Sequence, residues 1–203
     1  MPGLAPLLLG DGRLPVGAYT YSAGLEPAVA AGLTRGDVPA LLRARLRTAA
    51  VTEAAAAVLA LRAARADPVD YEPVQRALAA RSPAAPLREA SATLGRGVHR
   101  LARRLAPDHP AVTALSSIRP RPLRPVTLGA LGAVMDVSEE ELAHGVVYDE
   151  LQTIILAAEP DATAAVHEAL AVRNPAGLPA RTPLLTEQWA LEHARRERRL
   201  FLA

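Results

Sequence analysis

The sequence of 203 residues contains no cysteine and no lysine, although half of its residues are hydrophobic. Without cysteine, disulfides, thiolate metal sites and cysteine nucleophiles are excluded. Because all 23 basic residues are arginine, a Schiff-base lysine and the lysine of a nucleotide-binding phosphate loop are excluded as well. No apolar run approaches the roughly 20 residues that span a bilayer. We therefore expect neither a membrane segment nor, since the first residues carry no basic leader, a secretion signal.

Strand-forming residues are scarce, with only three isoleucines and six aromatic residues. Alanine, leucine and arginine dominate, and all three favour helices. Many of the 18 prolines stand beside capping residues, where they begin helices. We predict an all-α fold, a single bundle-like domain of roughly 8–10 helices. In this prediction the domain covers residues 1–203, with an N-terminal motif segment at 1–23, a linker at 174–183 and a C-terminal helix at 184–203.

Hydrophobic periodicity and capping residues predict where the helices lie. Asp37 is expected to cap the first long helix, which has a kink or division near 51–52 and whose residues Arg43, Arg45 and Arg47 point away from the apolar stripe. Ser138 and Glu141 form the pattern of a capping box. Residues 119–125 are expected to be extended. The predicted helices cover 38–66, 71–80, 87–106, 110–118, 126–135, 139–158, 162–173 and 184–201.

Charge is distributed unevenly along the chain. Residues 88–124 contain eight arginines against two acids, whereas residues 125–172 contain nine acids and no base. Such asymmetry is typical of surfaces that meet partners. The alternative is that the two blocks face each other or face water.

No catalytic constellation is visible in the sequence. No two of the five histidines are three or four residues apart, and no metalloprotease, nucleophile-elbow or phosphate-loop motif occurs. His193 shares a helix face with Glu197, and His144 shares one with Tyr148, but single pairs of this kind are far more often structural than metal-binding. These observations favour a binding or scaffold protein, but they do not exclude an enzyme, because active sites assemble from residues that are distant in sequence.

Two distant segments resemble the family of urease accessory proteins called UreF. The N-terminal segment 14–26 is similar to the family pattern LPxGxfxxSxGLE. Near the other end, the family's spacing of an acid, a histidine and a terminal Arg-Leu-Phe recurs at Glu187, His193 and 199–201. Arg88 and Glu89 resemble the family's central Arg-Glu pair. The residues that carry the N-terminal match are Leu14, Pro15, Gly17, Tyr19, Ser22, Gly24, Leu25 and Glu26.

The resemblance implies a cytoplasmic, all-α homodimer that acts as a chaperone and not as an enzyme. Such proteins bridge the accessory protein UreD (also called UreH) and the GTPase UreG, and the complex helps nickel enter apo-urease. The chain itself is then expected to need no cofactor and to bind no nickel tightly, since soft ligands are few. Nucleic acid and membrane are not among the partners that it implies.

We predict the residues that contact partners from the same two segments. The C-terminal helix from Glu187 is expected to contact UreD, and UreG is expected near the N-terminal motif and the charged surface of the dimer. The residues predicted to bind partners are Tyr19, Tyr21, Ser22, Glu26, Glu187, His193, Arg199, Leu200 and Phe201. Those predicted to have a structural role in the motifs are Leu14, Pro15, Gly17, Gly24, Leu25, Arg88 and Glu89.

Two other classes of function stay open on the residues alone. The block Arg88–Arg124 is suited to binding phosphates, as in an all-α DNA-binding regulator, although no aromatic residues interleave with its arginines to stack on bases. An all-α enzyme would need a histidine or carboxylate of shifted pKa in a pocket.

Overall fold

The computed structural model describes residues 25–151 and 159–195, and within these ranges the regular structure is helical, with no strand. This confirms the predicted all-α class. The helices, in chain order, are α1 (Leu25–Ala30), α2 (Val38–Arg45), α3 (Val51–Ala64), α4 (Glu72–Ala80), α5 (Ala85–Leu105), α6 (Pro110–Thr113), α7 (Arg124–Val134), α8 (Glu139–Leu151), α9 (Glu159–Ala171) and α10 (Leu184–Ala194).

Helix α3 lies at the centre of the fold and is covered by other helices on nearly every side. Eleven of its 14 residues are buried, a distribution expected of a core helix and not of an amphipathic surface helix. Four consecutive alanines, 54–57, leave room for neighbouring backbones to approach closely. The alanine-rich sequence therefore determines how tightly the surrounding helices pack.

The other helices form a layer around α3. Helices α7, α8 and α9 pack directly against it, and α5 packs on the outer side of α7. Helix α10 contacts α1 and α5 at the edge of this bundle and contributes little to the main core. The first and last described helices thus lie together, away from the centre of the molecule.

The first long helix is continuous but not uniform. A π-helical segment, Leu46–Ala50, joins α2 to α3, just before the predicted division at 51–52. Two details of the prediction are wrong. Arg45 does not point away but is buried, and Asp37 makes no capping bond to α2, because its carboxylate accepts from the amide and hydroxyl of Thr34.

The predicted capping box at the start of α8 is confirmed. The amide of Ser138 donates to Glu141 Oε2, and the amide of Glu141 donates to Ser138 Oγ, so two backbone donors at the helix start are satisfied. The predicted continuation of this helix from 152 to 158 lies outside the described residues. The predicted extended stretch 119–125 is too long, since Arg124 already begins α7 and is buried.

None of the described helices has both the length and the hydropathy to cross a membrane.

Candidate functional site

The two segments singled out from the sequence meet where α10 packs on α1. His193 Nε2 lies 3.4 Å from Glu26 Oε2, and only 1% of the His193 side chain is exposed. The two residues come from opposite ends of the described chain, and their contact joins the N-terminal motif to the C-terminal helix. Both are therefore placed to hold α10 against α1.

Glu187 is the second anchor of α10. Its Oε2 accepts from the amide of Ala84, at 2.8 Å, and its Oε1 accepts from the hydroxyl of Thr182, at 2.9 Å. Ala84 immediately precedes α5, so this carboxylate ties the start of α10 to the start of the long helix. Since Glu187 is buried, its structural contacts lie inside this chain, and its predicted role in partner binding stays a prediction.

Of the remaining predicted residues, three lie within the described ranges and the others lie outside them. Leu25 is half-buried on α1, and Glu89 is exposed near the start of α5. Arg88 Nη1 donates to the carbonyls of Ser82 and Pro83 at 2.5 and 2.7 Å, which fixes the turn before α5. The predicted residues outside the described ranges are Leu14, Pro15, Gly17, Tyr19, Tyr21, Ser22, Gly24, Arg199, Leu200 and Phe201.

Helix α10 buries three polar residues and exposes three leucines. Its buried positions include Thr186, Glu187 and His193, whereas three leucines of the same helix are exposed. Val29 on the adjoining helix α1 is exposed too, although large apolar side chains on a monomer's surface are usually scattered. The exposed fractions are 75% for Leu184, 61% for Leu185, 46% for Leu191 and 57% for Val29.

We call these four residues (Val29, Leu184, Leu185 and Leu191) the apolar face. Reasoning from the sequence missed it, although the spacing of Leu184 and Leu191 by seven residues already places them on one side of a helix. That spacing does not say which side is covered. The usual assumption that leucines face the core gives the wrong answer here, because the opposite side of α10, with Thr186, Ala190 and His193, is the buried one.

The basic block 88–124 is partly used within the chain. Arg124 is buried and its Nη2 lies 2.6 Å from Asp149 Oδ2, while Arg119 donates to the carbonyls of Ser116 and Ile118. Four arginines of α5 are exposed and follow the spacing of one helix side: Arg96, Arg100, Arg103 and Arg104. We call these four the basic stripe.

No preformed metal site is found in the part of the chain that the structure describes. There, no three histidine, aspartate or glutamate side chains are close enough to hold an ion. Burial lowers the pKa of His99 below 6.5, and the positive charge of Arg103 lowers it further. The neutral imidazole is thus favoured at this partly buried position on α5, beside the core.

Comparisons with known proteins agree with the resemblance seen in the two motifs. The UreF family model matches residues 33–159. The urease accessory protein UreF of Mycobacterium bovis (strain BCG / Pasteur 1173P2) is 38% identical over 162 residues, which cover 78% of this chain and 73% of that protein. The urease accessory protein UreF of Mycobacterium sp. (strain JLS) is 36% identical over 213 residues, covering 96% of each.

Proposed function

The chain belongs to the UreF family of urease accessory proteins, and from this premise we propose that it is a scaffold in urease maturation. In this proposal it binds UreD (UreH) on one surface and the GTPase UreG on another, as a homodimer in the cytoplasm. The assembly helps nickel, as cargo, to reach the active site of apo-urease. The chain supplies surfaces and performs no chemistry.

The observation that carries the proposal is the apolar face. Its four side chains lie on two helices that pack together at the edge of the bundle. Specific interfaces bury about 800 Å² on each partner and have an apolar centre within a polar rim. Gln188 and Glu192 are exposed on the same helix, on the side that carries these leucines, and would add polar contacts among them. We assign this face to UreD, in keeping with the predicted role of the C-terminal helix.

The absence of lysine supports assigning the nucleotide chemistry to UreG. A phosphate loop needs a lysine that reaches the β- and γ-phosphates, and this chain has none. The proposal therefore assigns hydrolysis of GTP to the partner. The basic stripe on α5 provides a charged surface for that partner, separate from the apolar face.

The first prediction concerns the apolar face. Replacing Leu184, Leu185 and Leu191 together by serine should weaken binding to UreD at least tenfold, because the centre of the interface becomes polar. Since all three side chains are exposed, the melting temperature should change little. Co-purification with UreD, followed by titration calorimetry, measures the effect.

Leu105→Ser is the matched control. Leu105 is 56% exposed at the end of α5, apart from the apolar face, so this variant should bind UreD like the wild type. Undiminished binding by the triple variant would contradict the assignment. The double variant Arg199→Ala, Phe201→Ala, in the part of the C-terminus beyond the described residues, tests the neighbouring predicted contact in the same assay.

The basic stripe is also the observation that favours the alternative, a DNA-binding regulator. Neutralising phosphates releases counterions, so a regulator should bind random duplex DNA with an affinity that falls steeply with salt. A scaffold should bind such DNA weakly at low-micromolar protein, and co-purification with UreD and UreG should give a complex of defined mass by size exclusion. The two readouts separate the proposals.

A further inference from the structure

The outer side of α5 carries charges of both signs in a fixed order. Glu89 is exposed seven residues before Arg96, the first arginine of the basic stripe, and residues spaced by three, four and seven positions lie on one side of a helix. At a rise of about 1.5 Å per residue, the basic stripe extends over about 12 Å and Glu89 lies about 10 Å before it. One carboxylate is therefore followed by four guanidinium groups.

None of these five charged side chains forms an ion pair within the part of the chain that the structure describes. Arg96 donates a hydrogen bond to the neutral hydroxyl of Thr93, at 3.2 Å. The arginines that do form ion pairs there lie outside the basic stripe: Arg62, Arg65, Arg76, Arg124 and Arg181. The charge of the basic stripe is therefore available to a partner.

The stability of α5 does not account for the spacing of these arginines. Like charges three or four residues apart destabilise a helix, and Arg100 has arginines at both spacings. Cations are favourable in the last turn of a helix because of its dipole, which accounts for Arg103 and Arg104. It does not account for Arg96 and Arg100, which lie before the last turn of α5. An acidic surface opposite the basic stripe would remove this repulsion.

Two features of α5 favour a protein over a nucleic acid as the source of the negative charge. A polyanion that follows the helix would bring its negative charge to Glu89 as well, whereas a protein surface can place a base there. No aromatic residue occurs in α5 to stack on bases. The order of signs on α5 thus fits a surface that has the opposite order.

We propose that this side of α5 docks a folded protein that presents an acidic patch about 12 Å long, with a basic residue beyond the end that meets Glu89. The inference rests on the proposed function and deepens it, since UreG is the partner assigned to the basic stripe. Complementary charges of this kind mainly speed association and fix the register of the two surfaces.

The double variant Arg100→Gln, Arg103→Gln tests the positive part of the surface. Binding to UreG at low salt should weaken about three- to tenfold, mainly through slower association, and the difference should shrink at high salt. The control is Arg35→Gln, Arg43→Gln, which removes two other exposed arginines without ion pairs in the described chain. It lowers the net charge equally and should bind UreG like the wild type.

Glu89→Arg tests the order of the signs. It adds positive charge to the surface, so it should tighten binding to random duplex DNA. Binding to UreG should instead weaken about two- to fivefold, because like charges then meet at the end of the acidic patch. Since Glu89 is exposed, the melting temperature should change little. Tighter binding of UreG by this variant would overturn the proposal.

The failure of this inference can be distinguished from the failure of the proposed function. If UreG binds the wild-type chain but the two double variants bind it equally well, the docking surface is wrong and the scaffold role stands. If UreG does not bind the wild-type chain with UreD present, both are wrong. Surface plasmon resonance with immobilised UreG, at low and at high salt, measures all the variants in one assay.

Discussion

At the scale of single residues, Gly129 shows how closely two helices approach in this fold. A Cβ on Gly129 of α7 would lie 2.5 Å from Ala60 Cβ, 2.6 Å from the Leu61 nitrogen and 2.7 Å from the Ala57 oxygen. Two of these three neighbours are backbone atoms of α3, which cannot turn aside as a flexible side chain would. The absence of a side chain at 129 is therefore a condition for α7 to pack on the central helix.

Gly129→Ala should lower the free energy of unfolding by at least about 3 kcal/mol, because the added methyl forces two core helices apart. Urea unfolding measures the change. Gly36→Ala is the control, since its Cβ would meet nothing nearer than Thr34 Oγ1 at 3.7 Å, and it should change stability by less than about 1 kcal/mol. Equal effects of the two variants would contradict this account.

Glu139 and Arg62 form a pair whose effect depends on pH. Arg62 Nε and Nη2 donate to the two carboxylate oxygens of Glu139, at 2.9 and 2.6 Å. The hydrogen bond to Arg62 holds the pKa of Glu139 below its ordinary 4.5, although burial opposes this shift. A lowered pKa in the folded state stabilises the fold above pH 4.5, and the contribution disappears as the pH falls through the lowered value.

Glu139→Gln should therefore cost about 0.5–1 kcal/mol at pH 7, and its difference from the wild type should shrink in acid, below pH 4.5. Urea unfolding of the variant and the wild type at pH 7 and again below pH 4.5 measures the two differences in stability. Glu140→Gln removes a neighbouring exposed carboxylate at the same helix start, so it controls for the helix dipole. A gap that stays constant down to pH 3 would show that the pair is not its cause.

At the scale of elements, α10 is held by a few polar contacts and not by a large apolar surface. The contacts of Glu187 with Ala84 and Thr182, and of His193 with Glu26, attach it to α5 and α1. Nothing in the sequence predicts this arrangement, because buried hydrogen bonds between distant residues leave no periodic pattern. The helix itself was predictable from its composition, whereas its orientation was not.

Glu187→Ala should lower stability by about 2 kcal/mol, since it leaves the buried amide of Ala84 without its acceptor. The loosening should be local, with faster amide hydrogen exchange in α10 than in the wild type. Glu192→Ala, an exposed position on the same helix, should have little effect. If instead Glu187→Ala abolished binding to UreD with no change in exchange or stability, the residue would be a direct partner contact.

At the scale of the whole molecule, the sequence predicted the class and the order of the helices well because proline, capping residues and hydrophobic spacing act locally. The capping box at Ser138 and Glu141 is the clearest case. The burial and the partners of individual side chains, which depend on contacts between distant residues, were not predictable in the same way. Arg45 is buried against the rest of the fold, and Arg124 begins α7 and bridges to Asp149; both depend on neighbours in three dimensions, which no local rule includes.

How many charges of the two blocks are neutralised within the chain is evident only in the folded molecule. Among the described residues, one bridge joins them directly, from Arg124 to Asp149. Three others join the acidic block to arginines outside the basic block: Arg62–Glu139, Arg65–Asp136 and Arg181–Glu168. Part of the asymmetry is thus neutralised inside the chain. The basic stripe on α5 is exposed, and this part of the basic block is available to a partner.

The enclosure of α3 has a consequence for hydrogen exchange in the native protein. Since water reaches few of its residues, its amides should become labelled with deuterium only when the entire structure opens, whereas those of α10 should be labelled through small excursions at the edge. The exchange rate of the slowest amides of α3 then measures global unfolding and serves as an internal reference. Binding of another protein at the edge should slow exchange in α10 and leave the rate in α3 unchanged.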